Sequence, residues 1–113
     1  MNGTKVDVLG TNYTLTVCGE EEEPRLQDLD GFCDDSTKEI FVESYADSKD
    51  DPRAKANLEN QKRKVKRHEI IHAFLFESGL AENSEWAQNE EMVDFFAIQF
   101  PKMLRAFREV DAL

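Results

Sequence analysis

The sequence predicts an α+β fold, with strands first and helices after. Two observations lead there. Up to about residue 44, apolar residues tend to alternate with polar ones, the period of a half-buried strand. Beyond about residue 52 they recur three and four apart, the period of a helix with one buried face. A chain of 113 residues that is 40% hydrophobic and 34% charged fits a single globular domain spanning 1–113, with one modest core.

Taken in order, Val6 and Val8 alternate with polar neighbours, and so do Tyr13, Leu15 and Val17. Between them lies Leu9-Gly10-Thr11-Asn12, where Gly10 and Asn12 tolerate the positive φ of a tight turn, so a hairpin is expected. Gly19-Glu20-Glu21-Glu22-Glu23-Pro24 reads as a solvated acidic loop. Leu26 and Leu29 suit a short turn covering the sheet. Gly31-Phe32-Cys33 leads into a polar turn cluster at Asp34-Asp35-Ser36-Thr37. Lys38 to Ser44, with Ile40, Phe41 and Val42 at its centre, is the best strand.

Asp50 or Asp51 can cap a helix with Pro52 in its first turn, running to about Phe76. Leu58, Val65, His68, His72 and Leu75 share one face of it, and Ile71 and Phe74 widen that face toward the core. The basic stretch Gln61 to Arg67 reads as a solvated helix surface rather than a phosphate site. Gly79 stops the helix. Asn83 or Ser84 caps the next one, whose Trp86, Met92, Val93, Phe95, Phe96 and Phe100 are expected in the core. Pro101 kinks that helix or restarts it, and Met103, Leu104, Phe107 and Val110 continue the apolar pattern.

A formal charge of −10 argues against nucleic acid as a partner. No apolar run approaches membrane-spanning length, and the N-terminus has no basic region followed by an apolar stretch. A cytoplasmic location is therefore expected, with Cys18 and Cys33 as reduced thiols.

The chemistry concentrates in His68-Glu69-Ile70-Ile71-His72, an H-E-x-x-H pattern holding both histidines of the chain. Four residues apart on a helix, the two imidazoles lie side by side and can share one metal ion. Glu69 is turned about 100° round the helix, suited to act on a water rather than to ligate. A metal with an open position acidifies that water, and a nearby carboxylate can take the proton. The competing reading is a chance match on an amphipathic helix. With no third histidine, a third ligand must be a carboxylate or a cysteine. Glu90 and Asp94 are four apart, so one can bind the metal while the other accepts a ligand imidazole's free N–H. Glu91 is the nearest rival, and Glu77, Glu82 and Glu85 also compete.

Together, His68 to His72 and Asn89-Glu90-Glu91-Met92-Val93-Asp94 resemble the gluzincin metallopeptidase pair H-E-x-x-H and N-E-x-x-[SA]-D. Glu90 to Pro101, with Phe96-Ala97, is similar to the ImmA/IrrE-type pattern of bacteria and phages, and single-domain minigluzincins are of similar size. The resemblance covers about residues 64 to 101, and Val93 stands where the pattern has a small residue. It implies that His68, His72 and Glu90 bind Zn2+, that Glu69 is general base and acid, and that Asp94 orients a histidine. It also implies an antiparallel sheet of about three strands packed on the motif helix, with one or two further helices, and hydrolysis of a peptide or protein substrate. The strand Lys38–Ser44 is expected at the sheet edge beside the cleft. Tyr13 and Tyr45 are the tyrosines left to stabilise an oxyanion. The segment after Pro101 either completes the core, the favoured reading, or brings Asp111 to the metal. An alternative function is an inactive zinc-binding relative that binds or regulates a partner.

Overall fold

A computed structural model describes residues 3–46 and 56–113. Four strands, β1 (Thr4–Val8), β2 (Thr11–Cys18), β3 (Gly31–Asp34) and β4 (Glu39–Glu43), precede the helices α1 (Leu58–Glu77), α2 (Leu80–Asn83) and α3 (Glu90–Glu109). The class is α+β. The sheet has the order β1-β2-β4-β3. Its outer pairs are antiparallel, and the central pair β2–β4 is parallel.

The first hairpin pairs Val8 with Thr11, so its loop is Leu9-Gly10, with φ of 51° and 90°. Two successive positive φ values make a primed turn, whose twist matches that of the strands. Asn12, expected in the turn, instead belongs to β2. The Asp7 carboxylate accepts the Gly10 N–H at 3.0 Å, which helps hold Leu9 in a conformation that side chains disfavour.

The expectation that Lys38–Ser44 forms the edge of the sheet is overturned. β4 lies between β2 and β3. Ile40 and Val42 are fully buried, in one cluster with Val8, Tyr13, Leu15, Val65 and Ala73. Phe41 points to the other face, where it packs with Cys18, Leu26 and Phe32. A continuous apolar run covered on both faces belongs inside a sheet, and here that outweighs the edge position the resemblance implies. The Pro24–Leu26 turn supplies Leu26 to this second cluster, whereas Leu29 is half exposed.

The Asn57 side chain caps α1 by accepting the Asn60 N–H at 3.0 Å; the expected start at Asp50 to Pro52 lies outside the described residues. The helix lays Val65, Ile70 and Ala73 on the sheet, while Phe74 faces outward at 39% exposure. Gly79, at φ 83°, follows its end as expected. The cap of α3 is Asn89, accepting the Met92 N–H at 2.8 Å, rather than Asn83 or Ser84. Residues 80–88 are taken up by α2 and the turn Trp86–Gln88.

Val93 is completely buried among Leu75, Ala81 and Ala87, so the larger residue at this position is accommodated. Most of the aromatic residues expected in the core are not there. Trp86 and Phe95 are each 54% exposed and Phe100 44%. Only one stripe of α3, centred on Val93 and Ala97, is buried.

Pro101 sits inside α3 without ending it. Its missing N–H deprives the Ala97 carbonyl of its helical donor. The Arg67 Nε–H fills that vacancy at 2.5 Å, joining α3 to α1 one residue before His68. Among the described residues, no helix is long and apolar enough to cross a membrane.

Candidate metal centre

α1 and α3 bring four of the expected side chains into one cluster. His68 Nε2 lies 3.0 Å from Glu90 Oε2, and His72 Nε2 lies 2.9 Å from Glu90 Oε1. The two Nε2 atoms are 3.2 Å apart. His68 Nδ1 lies 2.9 Å from Asp94 Oδ1.

This arrangement has an electrostatic consequence. An ionised carboxylate only accepts hydrogen bonds, so the contact with Asp94 places a proton on His68 Nδ1. In a neutral ring, His68 Nε2 then carries a lone pair aimed at Glu90 and His72. Burial pushes the His72 pKa down, with Glu90 opposing the shift, which favours the neutral, ligating form of that ring. Two imidazole nitrogens and a carboxylate are thereby brought within 3.2 Å of one another. Tetrahedral zinc with bonds of about 2.0–2.1 Å would set its ligand atoms about 3.3 Å apart; the two imidazole nitrogens stand 3.2 Å apart, and each has a different Glu90 oxygen within 3.0 Å. The donor set, two imidazoles and a carboxylate, also suits zinc. These three residues form a potential metal-ligand group whose donor atoms lie within 4.8 Å of one another.

Glu69 stands beside the donors and outside their triangle, with Oε2 4.0 Å from His68 Nε2. It is only 7% exposed, and burial raises its carboxyl from 4.5 to about 7. Gly31 on β3 makes room for it: a Cβ there would stand 3.2 Å from Glu69 Cγ and 2.8 Å from both Val65 Cγ1 and the Phe41 carbonyl. The rival carboxylates stay outside the cluster. Glu77 accepts hydrogen bonds from Tyr13 and Lys38, and Glu82, Glu85 and Glu91 are exposed.

The cluster opens into a cleft of about 570 Å³, walled by Leu29 to Cys33 on one side and by α1 on the other. Neither tyrosine hydroxyl serves it. Tyr13 donates to Glu77, and Tyr45 donates to Asp30 at 2.5 Å. Nothing beyond Asp94 lines the cleft, so Asp111 does not reach it, and Val110 is 73% exposed. The sequence reading missed Asp30 to Cys33, Lys64 and Phe76 as cleft residues. The last two lie four residues before His68 and four after His72, so helical spacing alone places them on the motif's face. Cys33, also in the wall, has its thiol pushed up to about 12 by burial and by the charge of Glu69, which keeps it protonated. No protein-family model matches this chain, and comparison with curated proteins and with solved structures finds no significant similarity.

Proposed function

We propose that this chain is a zinc-dependent peptidase, with His68, His72 and Glu90 as metal ligands and Glu69 as general base. The observation that carries the reading is the convergence of three electron-rich donors beside a buried carboxylate. Bound there, zinc would supply Lewis acidity toward the scissile carbonyl and toward water. Glu69, a buried carboxyl standing beside the donors, is suited to take a proton from the attacking water and pass it to the leaving amine. Asp94 holds His68 in the tautomer that leaves Nε2 free. β3 is one of the two edge strands of the described sheet and forms the cleft wall, so its outward N–H and C=O groups are placed to pair with an extended substrate. A cytoplasmic location, where both cysteines would be thiols, belongs to the same proposal.

One observation favours a second reading, a metal-binding protein without peptidase activity. Among the described cleft residues there is no tyrosine, arginine or further histidine to steady an oxyanion. The deciding experiment is hydrolysis of a peptide library by the zinc-loaded protein, with Glu69→Gln as control. Cleavage lost in the variant while zinc is retained supports the enzyme. Stoichiometric zinc with no cleavage by the wild type supports the second reading.

A further inference from the structure

The cleft follows α1 from Gln61 to Phe76, a helical length of about 22 Å, enough for about six residues of extended chain. The metal donors sit in the middle of this run. Phe76 lies toward one end of it and Lys64 toward the other.

Lys64 differs from the other charged groups of the cleft. Asp30 receives the Tyr45 hydroxyl, Glu90 bridges the two histidines, and Asp94 holds His68. Each of these carboxylates is engaged. Lys64 is half-buried in the wall and makes no hydrogen bond or ion pair among the described residues. By contrast, its neighbour Lys62 pairs with Glu59 at 2.6 Å. The net charge of the chain opposes an acidic ligand at long range, but five of its 14 lysines and arginines fall within positions 62–67. Of these five, Lys64 is the one that lines the cleft, so it is the positive group a ligand lying along α1 would meet at this end.

We propose that Lys64 is a specificity-determining residue, selecting an extended polypeptide that carries a carboxylate two or three residues from the scissile bond. The spacing follows from the helix. The midpoint of His68 and His72 lies about 9 Å along α1 from Lys64, or two to three residues of extended chain. The proposal rests on the cleft being a peptide site, so its test reads binding apart from cleavage.

The full-length Glu69→Gln protein, zinc-loaded and checked for zinc stoichiometry, is titrated with fluorescein-labelled decapeptides. These carry Glu, Gln or Lys at each position in turn, with a free or an amidated C-terminus. Tighter binding of the Glu peptides is expected, on the order of tenfold over their Lys counterparts. Adding Lys64→Met should abolish the preference and Lys64→Glu should reverse it. Lys62→Glu, which makes the same charge change outside the cleft lining, should leave it in place. A preference confined to free C-termini would make the terminal carboxylate the anion read, and one that survives amidation would make it a side chain; either supports the proposal. Equal binding of Glu and Lys peptides, a preference retained in Lys64→Glu, or the same reversal in Lys62→Glu would overturn it. Cleavage by the Glu69-containing protein is scored separately. Hydrolysis without a Lys64-dependent preference sinks the specificity and leaves the peptidase, and a Lys64-dependent preference without hydrolysis does the opposite.

Discussion

Replacing Glu69 by Gln should stabilise the metal-free protein at alkaline pH and leave it unchanged at acidic pH. The carboxyl is 7% exposed, and its pKa rises from 4.5 to about 7 on folding. A group raised in this way contributes its stability fully below the unfolded value, and loses it as pH climbs through the folded one. Below about pH 4.5 the acid is protonated in both states, and its burial carries no charge penalty. Above pH 7 the folded protein must hold a desolvated carboxylate. At about 1.4 kcal/mol per pH unit, the difference amounts to about 3 kcal/mol. Gln has nearly the same shape and does not titrate. Urea unfolding in excess chelator, followed by circular dichroism, should show the variant more stable by about 3 kcal/mol at pH 8. The gap should close between pH 7 and pH 4.5, with other titrating groups cancelling between the two proteins. Equal stability at pH 8, or a less stable variant, would refute the claim that desolvation dominates this carboxyl. The group argued to move the proton would thus also be one that weakens the fold, as expected where catalytic geometry is favoured over stability.

Metal analysis of purified variants should find zinc lost in Glu90→Ala and retained in Glu91→Ala; the opposite pattern would move the third ligand by one residue. Asp94→Ala should weaken zinc binding by about 10–100-fold in a chelator competition, because His68 loses the group that fixes its tautomer; unchanged affinity would make that contact incidental. Arg67→Ala should cost about 1–3 kcal/mol in urea unfolding by orphaning the Ala97 carbonyl. The cost should shrink in a Pro101→Ala background, where the restored backbone N–H can take over; a cost independent of Pro101 would show that the guanidinium acts in some other way.

The parts of this molecule legible in its sequence are those governed by helical spacing. His68 and His72 on one helix, and Glu90 and Asp94 on another, are pairs four residues apart, and local geometry alone puts each pair on one face. That the faces meet is a tertiary fact, foreshadowed only by the apolar residues beside them. The position of β4 does not follow the resemblance that puts it at the edge, because Ile40-Phe41-Val42 has no polar alternation and buries both faces. Asn83, Ser84 and Asn89 are all competent caps, and nothing local says which begins α3. The exposure of Phe95 and Trp86 depends on how many neighbours α3 has, which periodicity does not report. Lys64 and Phe76 obey the same spacing as the histidines, one turn further in each direction.

The carbonyl left without a donor by Pro101 also works as a vernier between the two long helices. Sliding α3 by one turn would carry Ala97 about 5.4 Å from the Arg67 guanidinium and strand a polar group in the helix contact. The same slip would take Glu90 away from His68 and His72 by an equal distance. Correct alignment of the ligands and satisfaction of one backbone carbonyl are therefore the same event. The Arg67 contact thus adds to the His68–Asp94 contact and the packing of Val93 on Leu75 in fixing how the two helices align. Part of the alignment is therefore encoded outside the histidine–carboxylate cluster, in the Arg67–Ala97 contact. An ion taken up at the proposed site would then meet side chains whose ordering cost has already been met by folding.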